Sequence, residues 1–185
     1  MATLQSNDFE LFELPLQFAQ DRTAIDARWK DLQREAHPDK FAAQGAAAQR
    51  IAMQWSVRIN EAYQRLKDPQ QRAAYLCELQ GAPIAAHTNT AMPASFLMLQ
   101  MGWREELEEA DGVDALEAIA DQANAYKKSA LGKIAQYLDI DRNPAAAAGE
   151  VRGLMFVEKF LTEVHARIDR SEEQGLAASA AGKGQ

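Results

Sequence analysis

The sequence has little of what a disulfide, a metal site or a membrane span requires. Its single cysteine, Cys77, cannot form an internal disulfide, and His87 and His165 have no metal-ligating residues at useful spacing. No stretch approaches the ~20 consecutive apolar residues of a transmembrane helix. The first ten residues are acidic and lack the apolar region of a secretory signal. We therefore expect a cytoplasmic protein that does not bind membranes and holds no metal.

Positive charge is also in short supply. The chain carries 20 Lys and Arg against 27 Asp and Glu, a net charge of −7. The deficit lies mostly after residue 80, because residues 1–80 carry 10 basic and 11 acidic residues whereas residues 81–185 carry 10 and 16. Nucleic-acid binding requires clustered cations, so we expect no nucleic-acid partner, and any basic site must be local.

Strand signals are scarce, because β-branched residues never alternate over a convincing run, while Ala, Leu, Glu, Gln, Lys and Arg dominate. The pattern predicts an all-α protein. Apolar periodicity and turn residues predict helices over residues 21–36, 45–67, 68–79, 94–110, 113–138 and 146–170. The predicted organisation is an N-terminal domain at 1–80, a linker at 81–93, a three-helix domain at 94–172 and a flexible tail at 173–185.

A four-residue motif, His37-Pro38-Asp39-Lys40, lies between two predicted amphipathic helices. Proline limits the backbone of such a turn, and the aspartate can accept hydrogen bonds. The preceding helix carries four cations away from its apolar stripe: Arg22, Arg28, Lys30 and Arg34. No nucleophile or partner acid is grouped with His37, so we expect no catalysis by this residue. By itself, a basic helix face is most often an ordinary solvated face.

The helix at 94–110 has two apolar faces. At about 100° per residue, one face, predicted to be core, consists of Phe96, Leu99, Trp103, Leu107 and Ala110. The opposite side carries Leu97, Met98 and Met101 and continues into Glu105, Glu108 and Glu109. A contiguous apolar patch with two methionines is typical of a partner-binding surface. Burial of the whole set in a thicker core is the alternative, and Phe156 of the last helix either flanks the core or is exposed.

Several segments together resemble a known family. Residues 8–79 resemble a J-domain in the His-Pro-Asp motif, in the run Ile59–Leu66 and in Arg72–Leu76, which follows Asp68-Pro69. With the acidic second half and the overall length, nearly the whole chain resembles the HscB subfamily of iron–sulfur assembly co-chaperones. The resemblance implies two all-α domains in an L-like arrangement, with a helical hairpin in the first and a three-helix bundle in the second.

The resemblance also implies two partners and a site for each. The J-domain would dock on an HscA-type heat-shock ATPase chaperone and stimulate it through His37, Pro38, Asp39, Lys40, Arg22, Arg28, Lys30 and Arg34. The C-terminal bundle would bind the iron–sulfur scaffold IscU through Leu97, Met98, Met101, Glu105, Glu109 and Phe156. Gly102 departs from the family, because an acidic residue is common there. We expect no enzymatic activity and no cofactor, with neither ATP nor a cluster bound by this chain.

Two other functions compete with this interpretation. A general J-domain co-chaperone for other protein clients would typically carry a Gly/Phe-rich linker or a cysteine-rich zinc module, and neither occurs in the sequence. A metal-dependent enzyme or sensor built on His37 and Asp39 would need further ligands that the chain does not provide.

Overall fold

A computed structural model describes residues 3–85, 92 and 94–182, with side-chain surroundings to residue 174. The fold contains seven α-helices, and no strand occurs in the described residues, which confirms the predicted all-α class. The chain divides into two compact units. The first comprises Met1–Pro83 and Ala135–Ala145, and the second Ile84–Ile134 and Ala146–Gln185.

The N-terminal unit is built on a helical hairpin. Its helices are α1 (Asp8–Leu11), α2 (Arg22–Glu35), α3 (Ala46–Lys67) and α4 (Pro69–Leu79), and a 3₁₀ segment (Pro38–Gln44) joins α2 to α3. The helix starts follow from local chemistry. The Asp21 carboxylate accepts the Thr23 N–H at 2.8 Å, as predicted for an N-cap, and Asp68 caps α4 in front of Pro69.

Apolar side chains from all four helices form the interior of this unit. The fully buried ones are Phe9, Leu11, Phe12, Ile25, Ile59, Ala62, Leu66, Ala73, Leu76 and Cys77. Cys77 is buried among them, as its apolar neighbours in the sequence predict. The predicted stripe of α2 is confirmed at Ile25 and Leu32, which face α3 because α2 is amphipathic.

A buried carboxylate ties α1 to the hairpin. Asp8 is fully buried and forms ion pairs with two arginines of α3, Arg58 at 2.7 Å and Arg65 at 2.6 Å. Its backbone N–H donates to the Tyr75 hydroxyl at 3.1 Å. The hydrogen bond to Asp8 raises the pKa of Arg65. A buried ion pair of this kind fixes geometry strongly, because removing one partner leaves an uncompensated charge.

A distant segment completes the N-terminal unit. After the helix Val113–Ala135 the chain forms a π-helical turn, Gln136–Ile140. Its Asp139 accepts the backbone N–H of Phe18 at 2.6 Å and that of Ala19 at 2.9 Å. Arg72 donates to the Phe18 carbonyl at 2.9 Å, so the chain ahead of α2 is held from both sides. The sequence pattern assigns residues 135–145 to the C-terminal domain, whereas they pack with the N-terminal unit.

The C-terminal unit is a bundle of three helices, α5 (Ala94–Glu109), α6 (Val113–Ala135) and α7 (Pro144–Gly182). Its core takes residues from each helix: Phe96, Trp103, Leu107, Leu116, Ile119, Ala120, Ala123, Val157, Phe160, Leu161 and Val164. The apolar residues Val157, Leu161 and Val164 of α7 lie on the core side of the helix, with Ile168 partly buried at the end of this face.

Two predicted segments differ from the structure or fall outside it. Helix α7 continues to Gly182, where the sequence predicts a flexible tail from residue 173, because the alanine-rich stretch is a strong helix former. Residues 183–185 lie outside the described part of the chain, as does most of the predicted linker, residues 86–91 and 93.

Candidate functional site

The His37-Pro38-Asp39-Lys40 motif opens the 3₁₀ segment between α2 and α3. His37 is its N-cap, and its Nδ1 accepts the Asp39 N–H at 3.3 Å, while Pro38 occupies the first turn. The Lys40 N–H donates to the His37 carbonyl at 3.0 Å. The motif is thus a hydrogen-bonded turn, and it presents the Asp39 carboxylate to solvent with 91% of the side chain exposed. A rigid, exposed acceptor of this kind is suited to binding a cation on a partner.

The four cations of α2 do not share one face. Lys30 and Arg34 are exposed, and Arg34 pairs with its neighbour Asp31 at 3.0 Å. Arg28 lies on the other flank, where it pairs with Glu13 at 2.9 Å and its side chain is only 24% exposed. By helical angle Arg28 lies about 160° from Lys30. Arg28 therefore pairs within the unit, and Lys30 and Arg34 form the accessible positive face of α2.

Arg22 has an intermediate role at the start of α2. Its guanidinium donates to Asp26 at 2.8 Å, to the Tyr63 hydroxyl at 3.3 Å and to the Lys67 carbonyl at 3.2 Å. The hydrogen bond from Arg22 lowers the pKa of Asp26. These contacts link α2 to α3, so Arg22 orients the helix that carries the exposed cations.

An aromatic and amide ladder holds the same two helices in register. Trp29 stacks on Tyr63 with ring centroids 4.7 Å apart, and its indole N–H donates to Asn60 Oδ1 at 3.0 Å. Gln33 donates to the same oxygen at 2.8 Å. This packing makes the hairpin a stiff support for the exposed turn at its end, because side chains held on both helices cannot shift independently.

In the second unit, one apolar face of α5 is buried and the other is exposed. Phe96, Trp103 and Leu107 are buried, and Ala110, just beyond α5, is partly buried. By contrast Leu97, Met98 and Met101 are 44%, 72% and 60% exposed. The predicted exposure of these three side chains is confirmed, and burial of the whole set in a thicker core is wrong.

Leu99 departs from the predicted core face. It is exposed rather than buried. Its helical angle puts it about 60° from Phe96, at the edge of the core face, where the bundle no longer covers it. The three exposed side chains on the opposite side of the helix, Leu97, Met98 and Met101, form an apolar surface, here called the α5 patch.

Acidic residues border the α5 patch toward the C-terminal end of the helix. Glu105 and Glu109 are exposed, and neither forms an ion pair within the described residues. Gly102 lies between them and the methionines, and a Cβ added there would meet no atom within 4 Å. An apolar anchor flanked by unpaired carboxylates fits a partner surface that combines apolar and basic side chains.

Phe156 lies where α7 meets α5. Its ring contacts Phe96 edge-on at a centroid distance of 5.7 Å and lies parallel to Phe160 at 6.1 Å. The side chain is partly buried against the core, so it flanks the core and keeps part of its surface in solvent. The sequence pattern does not single out Arg104, which covers this ring at 5.6 Å.

No group of three or more His, Cys, Asp or Glu side chains with metal-binding geometry occurs in the part of the chain that the structure describes. Among the same residues, no helix combines the length and the apolar character that a bilayer crossing requires.

Comparison with known proteins places the chain in a family. Residues 92–165 match the family described as the HSCB C-terminal oligomerisation domain. The co-chaperone protein HscB homolog of Burkholderia multivorans is 47% identical over 175 residues, which cover 93% of this chain and 99% of the relative. The chain belongs to the HscB co-chaperone family. The HscB homolog of Paraburkholderia phytofirmans is 46% identical over 173 residues.

Solved structures of HscB proteins agree with this assignment. Chaperone HscB from Vibrio cholerae superposes with a TM-score of 0.76 and 37% identity, covering 89% of this chain and 99% of that one. Human co-chaperone protein HscB gives a TM-score of 0.82 at 23% identity, covering 90% and 84%, and this likeness concerns the fold alone. The N-terminal unit with the His-Pro-Asp turn is accordingly the J-domain, and as an HscB co-chaperone the protein acts with a chaperone.

Proposed function

We propose that this co-chaperone serves iron–sulfur cluster assembly by joining two partners. The J-domain docks on an HscA-type heat-shock chaperone and stimulates its ATP hydrolysis. The C-terminal bundle binds the scaffold protein IscU through the α5 patch, Phe156, Glu105 and Glu109. The observation that carries the proposal is the α5 patch itself, because a soluble helix that turns a contiguous apolar surface with two methionines to solvent requires a partner to cover it.

Docking of the chaperone rests on the exposed end of the hairpin. Asp39 offers an exposed carboxylate, Lys30 and Arg34 offer cations, and Arg22 and the Trp29–Tyr63 stack hold these groups in place. Exposed rim charges mainly raise the association rate and set the orientation of a complex. The cations of α2 and the carboxylate of the turn therefore recognise a partner surface that is acidic opposite α2 and carries a cation opposite the turn.

Joining the two partners on one chain has its own physical effect. A scaffold bound to the second unit meets the docked chaperone as an intramolecular reactant, so its effective concentration rises, into the millimolar range for short connections. Stimulation of the ATPase is then coupled to the presence of cargo without any nucleotide or cluster site on this chain.

Charge reversal tests the docking surface. Lys30→Glu with Arg34→Glu should slow association with the chaperone and weaken its dependence on salt, measured by stopped flow and steady-state ATPase assays. Lys128→Glu with Lys159→Glu is the matched control, because both are exposed lysines of the C-terminal unit. Equal loss in the two double variants would mean that only net charge matters and would contradict a docking site on α2.

A matched pair of methionines tests the scaffold surface. Met101 of the α5 patch and Met53 of α3 are both 60% exposed. Met101→Ala should lower the affinity for IscU measured by calorimetric titration, whereas Met53→Ala should leave this affinity unchanged. Normal IscU binding by Met101→Ala would contradict the proposal.

Light scattering of the unliganded protein adds a separate readout, because the matched family is described as an oligomerisation domain. Self-association that Met101→Ala abolishes would assign the patch to a second copy instead.

A further inference from the structure

Arg104 joins the two helices that carry the proposed scaffold-binding surface. It lies on α5 one turn after Met101, and its guanidinium carbon is 5.6 Å from the centroid of the Phe156 ring and 5.3 Å from that of Phe160. Its Nη1 also donates to Glu163 Oε2 on α7 at 2.6 Å. One side chain of α5 is thus held on α7 by two ring faces and one carboxylate.

Phe156 needs such a contact more than the other members of the surface do. The remaining residues of the proposed site all lie on α5, so their spacing is set by one helix. Phe156 comes from α7, and its ring is only partly buried. A partly buried ring keeps rotational freedom that binding must remove, and removing it lowers affinity.

We propose that Arg104 is a positioning residue for scaffold binding, holding the Phe156 ring in the orientation that the partner meets. This inference rests on the proposed function of the α5 patch. The guanidinium lies over both parallel rings, and the attraction between a cation and an aromatic face opposes rotation of Phe156. Phe160 is fully buried and stacks on Trp103 at 5.6 Å, so it supplies a fixed base for the arrangement.

The ion pair with Glu163 has a subordinate role. Both side chains of the pair are partly exposed, at 39% and 46%, and exposed pairs contribute little. The contact that matters is the approach of the guanidinium carbon to both rings, at 5.6 Å and 5.3 Å from their centroids. The two contributions are separable, because a change at Glu163 leaves the rings and Arg104 in place.

The test is a double-mutant cycle on IscU affinity in the full-length protein. Arg104→Gln should weaken binding about fivefold in the wild-type background, the equivalent of losing one partly exposed cation–π contact of about 1 kcal/mol at 1.4 kcal/mol per tenfold. In the Phe156→Ala background the same change should have no effect, because the ring that it positions is absent. Arg104→Lys should bind more tightly than Arg104→Gln, because an ammonium also attracts an aromatic face, and Glu163→Gln should bind within about twofold of wild type.

Each outcome separates this inference from the proposed function. If Phe156→Ala and Met101→Ala leave IscU affinity unchanged, the scaffold surface itself is wrong. If those variants bind weakly but Arg104→Gln binds normally, the positioning role alone is wrong. If Arg104→Gln weakens binding equally with and without Phe156, Arg104 contacts the scaffold directly and the positioning role is again overturned. Urea unfolding of each variant excludes loss of the fold as the cause.

Discussion

The two faces of α5 should respond in opposite ways to truncation. The perturbation is the triple change of Leu97, Met98 and Met101 to alanine, compared with Trp103→Ala on the buried face. The three patch residues are 44%, 72% and 60% exposed, whereas Trp103 is 1% exposed. The exposed set should therefore contribute to binding rather than to folding, and the buried tryptophan the reverse.

Burial sets the expected size of each effect on the free energy of unfolding. A buried methylene contributes about 0.8 kcal/mol. Leu97, Met98 and Met101 are roughly half, a quarter and two-fifths buried, and each change to alanine removes about three such groups. The triple change should therefore cost about 2–3 kcal/mol in total. Trp103→Ala alone should cost about 3–5 kcal/mol. Three fully buried residues of these types would cost about 6–15 kcal/mol together, enough to unfold most domains.

Urea unfolding followed by circular dichroism measures the first effect, and calorimetric titration with IscU the second. The triple variant should fold and bind IscU at least about 30-fold more weakly, the loss expected when apolar anchors of about 2 kcal/mol are removed. Trp103→Ala should lose stability first, and its folded fraction should still bind. A triple variant as unstable as a core mutant, or one that binds normally, would refute the assignment of the two faces.

Three further predictions concern stability and specificity. Burial raises the pKa of Tyr126 to about 12, above its value of about 10 in an unfolded chain. The stability that the neutral Tyr126 phenol contributes is therefore fully present below pH 10 and is lost as the pH rises toward 12. Over this range the free energy of unfolding should fall less steeply with pH in Tyr126→Phe than in the wild type. Asp139→Ala leaves the N–H groups of Phe18 and Ala19 without their acceptor and should destabilise the J-domain by about 1–3 kcal/mol in urea unfolding; a variant as stable as wild type would contradict this role. Gly102→Ala should stabilise α5 by about 1 kcal/mol, whereas Gly102→Glu should in addition strengthen IscU binding, and equal affinity in the two variants would show that no acidic contact is missing there.

Local chemistry explains why so much of the fold is predictable from the sequence. The Asp21 cap and the Asp68-Pro69 start are decided by residues within one turn of each helix, so they are legible in the sequence. The 3.6-residue period likewise separates Trp103 from Met101 without any knowledge of the neighbouring helices. These features depend on one helix at a time.

The unpredicted features depend on contacts between distant segments. Asp139 caps backbone groups about 120 residues away in the chain. Arg28 looks like any other cation of α2, and only its pairing with Glu13 removes it from the exposed face. Leu99 lies at the margin of a helical face, where the width of the neighbouring helix decides burial. Periodicity carries no information about any of these partners.

The proposal that one chain serves two partners through separate surfaces has one direct test. His37 caps the exposed turn through its contact with Asp39 and lies outside both apolar cores, so His37→Gln should leave the helical content and the IscU affinity unchanged. The measurement is the steady-state ATPase rate of the HscA-type chaperone, titrated with wild-type protein or with His37→Gln in the presence of IscU. We expect stimulation by the wild type and none by the variant, although the variant still carries IscU. Full stimulation by a folded His37→Gln protein would contradict the assignment of the turn as the chaperone-docking site.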